Sequence, residues 1–334
     1  MSKDNILYFN PGYDFLFPHR INFSNSENRH NKFVQSSINL YNSSFDRWIF
    51  NNDENNALTN IHELYINYDI FEDNYTKGIA HIRCNVKNDK CVNISFGLNK
   101  DDRSFYIDVA KKDNTTTRIG KIENVLFCFG YLYNVKIHIY YDSNDLSTHI
   151  TVLLNNDKTK YIDVSTREYL IYKTSDSYIT NVCVCKYDTV WQRNISNIIL
   201  STTDLTDKQC VEFPIKLMAN DTTWKKKTDG TYVSDKNGDT IKYQIDMDKL
   251  KTMVDWYDNT SIDAIMLGSL QAYSYGDNSV AYSVNDTQYD EEALANQDYY
   301  GNASKIMLNN PSKNSDWTEE ELSKAIFTIT NKIK

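Results

Sequence analysis

A mostly β protein, built as two tandem antiparallel β-sandwiches with one or two short helices, is the fold class this sequence predicts, and three observations predict it. Apolar and polar residues alternate in one segment after another along most of the chain, which is the period of a half-buried strand. The 25 tyrosines and 14 phenylalanines suit a pleated surface, where aromatic rings pack against cross-strand neighbours. Segments of Asn, Asp, Gly and Lys such as EDNYTKG, KNDK and NKDDR interrupt the alternation where turns are needed.

Residues 1–30 carry two of the four prolines, many aromatics and no sustained period, and they read as an arm that lies along a neighbouring subunit. From Asn31 the pattern is regular. KFVQSSINLY and FDRWIF come first, then ELYINYDIF with Leu64, Ile66, Tyr68 and Ile70 on one face. GIAHIRCNV repeats the pattern with Ala80, Ile82, Cys84 and Val86, CVNISFGLN with Val92, Ile94, Phe96 and Leu98, and FYIDV with Phe105, Ile107 and Val109. The stretch from Tyr131 to Asp163 organises what surrounds it. YLYNVKIHIYYD puts Tyr133, Val135, Ile137, Ile139 and Tyr141 on one face and Asn134, Lys136, His138, Tyr140 and Asp142 on the other. SNDLS, which contains no glycine, supplies a turn, and HITVLLNND resumes with Ile150, Val152 and Leu154. Such a strand pair has one oily face and must cover it with another sheet, so a sandwich is expected around it.

REYLIY, YITNVCVCKY and NISNIILST follow as further strands, and TTDLTDKQ (202–209) then breaks the pattern, which places a domain boundary near residue 205. The expected organisation is an arm over 1–30, a first sandwich over 31–205 and a second over 206–334. In the second, Pro214 within VEFPIKL implies an edge or first-strand position. Asn237-Gly238 between strand-like flanks is the strongest short hairpin signal. DMDKLKTMVDWYD changes period, with Leu250, Met253, Val254 and Tyr257 spaced for an amphipathic helix. SIDAIMLGSLQAYSYG and SVAYSVND return to strand, a loop-rich region is expected over 286–305, and Thr318-Glu319-Glu320-Glu321 fits a capping box with Trp317 as a staple on Leu322. A last strand is expected from Ala325 to Ile329.

Charge and composition narrow the function. The formal charge is -9, and Lys225-Lys226-Lys227 is the one basic run, so nucleic-acid binding is not expected. No apolar run approaches a membrane span, and MSKDNILYF lacks a signal-peptide core, which implies synthesis and assembly in a cytoplasm. Six cysteines (Cys84, Cys91, Cys128, Cys183, Cys185, Cys210) include no CxxC pair and read as reduced, buried thiols, with a metal at Cys183 and Cys185 as the alternative. Histidines are scattered, and there is no HExxH, GxSxG, P-loop or GxGxxG.

Three kinds of site remain. A glycosidase needs two carboxylates roughly 5–9.5 Å apart. Glu63 and Asp69 share a strand face but lie on the order of 20 Å apart, and Asp69 with Glu72 or Asp73 would need a bulge. Asp142, Asn144 and Asp145 offer hard oxygen ligands in a turn, so calcium is an open alternative to having no cofactor. Tyr131, Tyr133, Tyr140 and Trp191 are the candidate rings for stacking on sugars, with Tyr141 and Tyr187 nearby in sequence. Trp48, Trp256 and Trp317 each sit in an apolar pattern and read as core.

The motifs FDRWIF, IHELYINYDIF, NVKIHIYYDSNDLSTHITVLLNN and YITNVCVCKYDTVWQRNISNIILS resemble a concanavalin-type or laminin-G-like jelly roll. Their order, continued by YQIDMDKLKTMV, SIDAIMLGSLQAYS and DWTEEELSKAIFTI, is similar to that of tailed-phage virion proteins in which such a sandwich leads into a second domain. What the resemblance implies is a non-enzymatic structural component of a tailed-phage virion or phage-tail-like particle, binding host-surface glycans through its lectin-like sandwich. Its partners would be copies of itself, other virion proteins and host cell-surface polysaccharide. It would reside in the virion after assembly in the host bacterial cytoplasm. A purely architectural capsid or neck decoration protein is the alternative, and a polysaccharide-cleaving enzyme is disfavoured by the carboxylate spacing.

Overall fold

The computed structural model describes residues 6–10, 38–39, 47–51, 63–72, 79–99, 101–125, 132–169, 177–185, 193–205, 208, 210, 213–228, 230, 232–253, 262–272, 279–293 and 300–333. The chain divides into two compact units, Asn5–Cys210 and one that begins at Val211. Both are built of antiparallel sheets, and the described α-helices are two and short. None of the described helices is long and apolar enough to cross a membrane.

The first unit contains β1 (Ile6–Asn10), β2 (Ile38–Asn39), β3 (Arg47–Asn51), β4 (Glu63–Glu72), β5 (Ile79–Lys87), β6 (Cys91–Asn99) and β7 (Ser104–Lys111). It continues with β8 (Thr116–Ile122), β9 (Leu132–Asp142), β10 (Ser147–Leu154), β11 (Tyr161–Thr166), β12 (Tyr178–Val184) and β13 (Arg193–Ser201). A seven-stranded sheet runs β1-β13-β4-β9-β10-β11 with β2 also on β13, and a six-stranded sheet runs β3-β12-β5-β6-β7-β8. The alternation read from the sequence is what buries one face of each. Leu64, Ile66, Tyr68 and Ile70 of β4, Val135, Ile137 and Ile139 of β9, and Ile150 and Val152 of β10 are fully buried, as are Ile82, Cys84, Ile94, Phe96, Ile107 and Val109 of the other sheet. Each such side chain contributes about 1.5–3 kcal/mol by leaving water. The two sheets touch at Tyr68 and His81, whose rings meet edge to face at 6.2 Å. They also close on each other at Gly120 of β8, where a Cβ would stand 2.8 Å from Val164 Cγ2 of β11.

Several expectations are corrected here. Ile6–Asn10, read as part of an arm for a neighbouring subunit, pairs with β13 of its own chain. β8 and β11 are strands that were not among those expected, and the start of REYLIY is a bend rather than a strand. Cys84 and Cys91 are buried free thiols, Cys183 and Cys185 are buried as well, and burial pushes Cys91 up to about 11, which keeps it protonated. Cys128 lies outside the described residues.

The second unit contains β14 (Ile215–Leu217), β15 (Lys225–Lys226), β16 (Tyr232–Val233), β17 (Thr240–Ile245), α1 (Met247–Met253), β18 (Ile265–Ala272), β19 (Ser279–Val284), β20 (Thr287–Ala293), β21 (Tyr300–Met307), α2 (Glu319–Lys324) and β22 (Phe327–Lys332). Its main sheet runs β14-β17-β22-β19-β20, with β15-β16 and β18-β21 as separate ribbons. Pro214 precedes an edge strand, where its missing N–H costs no ladder bond. The loop-rich region expected over 286–305 instead holds β20 and much of β21. The Asn237-Gly238 turn forms with Gly238 at φ 84°, but it closes no hairpin between its flanking strands. Gly238 N–H donates to Asn331 O (2.8 Å) and Asn331 N–H to Asp239 O (2.9 Å), so the turn is spent on clasping β22. Leu250 of α1 is fully buried, while Val254, Trp256 and Tyr257 lie outside the described residues. Both halves of the capping box are present at Thr318 and Glu321, and Trp317 shares a core with Leu322 and Phe327.

Candidate functional site

The outward face of β4, β9, β10 and β11 carries the most organised group of polar and aromatic side chains among the described residues. Register builds it. Tyr140 of β9 stands opposite Glu63 of β4 and His149 of β10, and His138 stands opposite Tyr65 and Thr151. Thr151 in turn stands opposite Asp163 of β11. The rings form one ladder: Tyr65 on His138 at 4.0 Å and 6°, His138 on Tyr140 at 4.6 Å and 23°, and Tyr140 on His149 at 4.9 Å and 11°. The cross-strand pairs, Tyr65 with His138 and Tyr140 with His149, contribute about 0.5–1 kcal/mol each, while His138 and Tyr140 stack along β9 itself.

Carboxylates hold the ladder at both ends. Tyr65 Oη donates to Glu63 Oε1 (2.7 Å), and His138 Nε2 lies 2.7 Å from the same oxygen. Burial, and then Glu63, push the Tyr65 hydroxyl above the ordinary tyrosine range. Burial, and then the Asp163 charge, do the same to Tyr140 and to Tyr161. At the other end His149 is held on both edges, Nε2 to Asp145 Oδ2 (2.9 Å) and Nδ1 to Asp163 Oδ1 (3.4 Å). Desolvation pulls its pKa down, but the hydrogen bonds to Asp145 and Asp163 outweigh it and set the value above an ordinary histidine. Asp145 is lowered by its bond from Ser147 and then by His149.

A second polar group lies along the same face. Asn134 Nδ2 donates to Asn67 Oδ1 (2.9 Å) and Asp69 Oδ1 (2.7 Å), and Asn197 Nδ2 donates to Asp69 Oδ2 (3.2 Å). Burial raises the Asp69 pKa, and these amides only partly offset it. Chemically, the face is a strip of ring edges, hydroxyls and carboxylates, suited to hydrogen-bonding a polyhydroxylated ligand. Burial and the neighbouring carboxylates favour the protonated form of Tyr65, Tyr140 and Tyr161, so their hydroxyls are available as donors.

The residues expected from sequence fall in different places. Tyr140 lies inside the ladder. Tyr133 is 4% exposed and faces the core, where no sugar can reach its ring. Tyr131, Trp191 and Tyr187 lie outside the described residues. Glu63 and Asp69 sit six positions apart on a strand that pairs with β9 without a bulge, so their separation stays far beyond catalytic reach. Asp142, Asn144 and Asp145 form the β9–β10 turn. Asp142 Oδ1 accepts from Asn144 N (2.8 Å) and Asp145 Oδ1 from Ser147 N (2.9 Å). Ligand atoms of Asp142, Asp145 and His149 lie within 4.8 Å of one another, with His149 in the place expected for Asn144. Two carboxylates already engaged by the turn and one imidazole are a poor fit to calcium, which takes six to eight oxygens.

Sequence reasoning missed Tyr65, His138, His149 and Tyr161, the last of them 50% exposed. The signal for each was present, because all four occupy the polar phase of an alternating strand. What was missing was strand adjacency, which the alternation does not encode.

No family model matches the chain, and no curated protein matches it. Among solved structures it is similar to an alginate lyase Aly36B double mutant in complex with alginate trisaccharide (9% identity, 49% of this chain and 80% of that chain, TM-score 0.34). It is also similar to the CBM2 module of an evolved Dit from Lactobacillus casei BL23 phage J-1 (12%, 48% and 69%, TM-score 0.29) and to lectin I-B4 from Griffonia simplicifolia (10%, 50% and 80%, TM-score 0.27). At these identities and scores the likenesses carry no functional argument.

Proposed function

We propose that the first unit is a non-catalytic glycan-binding module, and that the chain is a structural component of a tailed-phage virion or phage-tail-like particle that contacts host-surface polysaccharide. The ladder Tyr65-His138-Tyr140-His149 is the observation that carries the binding reading. Four side chains from three adjacent strands spend their faces on one another and present edges and polar tips in a row, an arrangement that stability of the sheet alone does not require. Glu63 and Asp163 add acceptors for sugar hydroxyls, and half-exposed Tyr161 adds a ring. The order of sequence motifs supports the particle assignment.

A glycan panel probed with the full chain and with Tyr140→Ala tests the binding reading. Retained folding with at least tenfold weaker binding in the variant is the expected result. Equal binding by both proteins, or no binding to any glycan, overturns it.

A further inference from the structure

We infer that the glycan this face takes is a chain of amine-bearing sugars, cationic at neutral pH, and that it lies across the strands from Glu63 to Asp163. The inference rests on the glycan-binding reading and specifies its ligand class.

Charge complementarity is the first argument. At the outward positions of β4, β9, β10 and β11 one lysine, Lys136, stands against Glu63, Asp69, Asp142 and Asp163. The imidazoles give an anion no purchase, since His138 Nε2 is committed to Glu63 and both nitrogens of His149 are committed to carboxylates. A uronate or phosphate would approach like charges, whereas a protonated amine would approach acceptors.

Open acceptor capacity is the second. Glu63 receives both Tyr65 and His138 on Oε1, and Asp163 uses Oδ1 on His149. Among the described residues the second oxygen of each has no hydrogen bond, and the two side chains are 46% and 43% exposed. Glu63 and Asp163 are separated by three strand spacings, about 14 Å at roughly 4.8 Å each, and by a two-residue offset along the strands of about 7 Å. One sugar cannot touch both, but an oligosaccharide crossing the ladder can.

Calorimetry of the full chain at low ionic strength, against glucosamine hexamer, N-acetylglucosamine hexamer and galacturonate hexamer, tests this. Glucosamine hexamer should bind about tenfold more tightly than its N-acetylated counterpart, with the margin shrinking as salt is raised. The isosteric double variant Glu63→Gln/Asp163→Asn should erase that margin, and the salt dependence of the unaltered protein is an independent readout should the variant lose stability. If the N-acetylated or galacturonate hexamer binds as tightly or more tightly, the amine inference fails while the glycan-binding reading stands. Absence of binding to all three overturns the inference, and the panel with Tyr140→Ala then decides whether the broader reading falls with it.

Discussion

Neighbouring residues of β9 live under opposite constraints. On its inner side Tyr133, Val135, Ile137 and Ile139 are at most 4% exposed, whereas on its outer side Asn134, Lys136, His138 and Tyr140 are only partly buried. The inner side is held by excluded water and filled volume, which any side chain of the right size satisfies. The outer side is held by ring stacking and directional bonds, which depend on the identity of each group. One strand therefore separates what keeps the unit folded from what it can recognise.

Ile137→Ala should cost the most, about 3 kcal/mol from lost burial and a residual cavity, read as a shift in the urea midpoint. The folded fraction should still bind glycan normally. A large binding defect at unchanged stability would mean the two faces are not separable. Tyr140→Ala should cost only about 1 kcal/mol from its two ring contacts, yet weaken glycan binding far more than Ile137→Ala does.

The charge on His149 sharpens the comparison through pH. Its folded pKa is raised, so its contribution is fully present below the unfolded value near 6.5 and is lost as pH rises through the folded value. Asp145 is lowered, so its contribution is present above about 3.9 and is lost as pH falls through its folded value. The melting difference between the protein and His149→Gln should accordingly be greatest between those limits and shrink above them. A difference that does not vary with pH would show that the imidazolium plays no part. The smallest effect is expected at Leu146, which is 55% exposed and held at φ 58° in the β9–β10 turn. Leu146→Gly should stabilise by about 0.5 kcal/mol, the relief of left-handed strain less the added entropy of glycine, as a small rise in melting temperature.

The inner face was legible in the sequence at most positions, because period-two alternation and burial are the same physical fact; Val92, expected inward with Ile94 and Phe96, is instead 40% exposed, beside a register shift between Cys91 and Asn93. Thr318 and Trp317 were legible for a similar reason, since a cap is a local contract between residues three apart. The ladder was not. Tyr65 and His138 are separated by a long stretch of chain and meet only because β4 lies beside β9, and that adjacency arises from the whole sandwich. Asn237-Gly238 shows the limit from the other side. The local turn formed as its residues demand, while its partner strand was chosen by tertiary pairing with β22.

Strand order also sets a timetable. In the second unit β22 lies between β17 and β19, although both precede it in the chain, and in the first unit β13 likewise lies between β1 and β4. During synthesis β17 and β19 must wait, each with an unpaired edge, until the strand that joins them emerges. Neither sheet can close progressively from its first strand, so folding of each unit is gated by a late insertion and not by early hairpins. A nascent chain halted before Phe327 would carry two open edges that in the finished protein belong to β22, and such edges are templates for pairing with another chain.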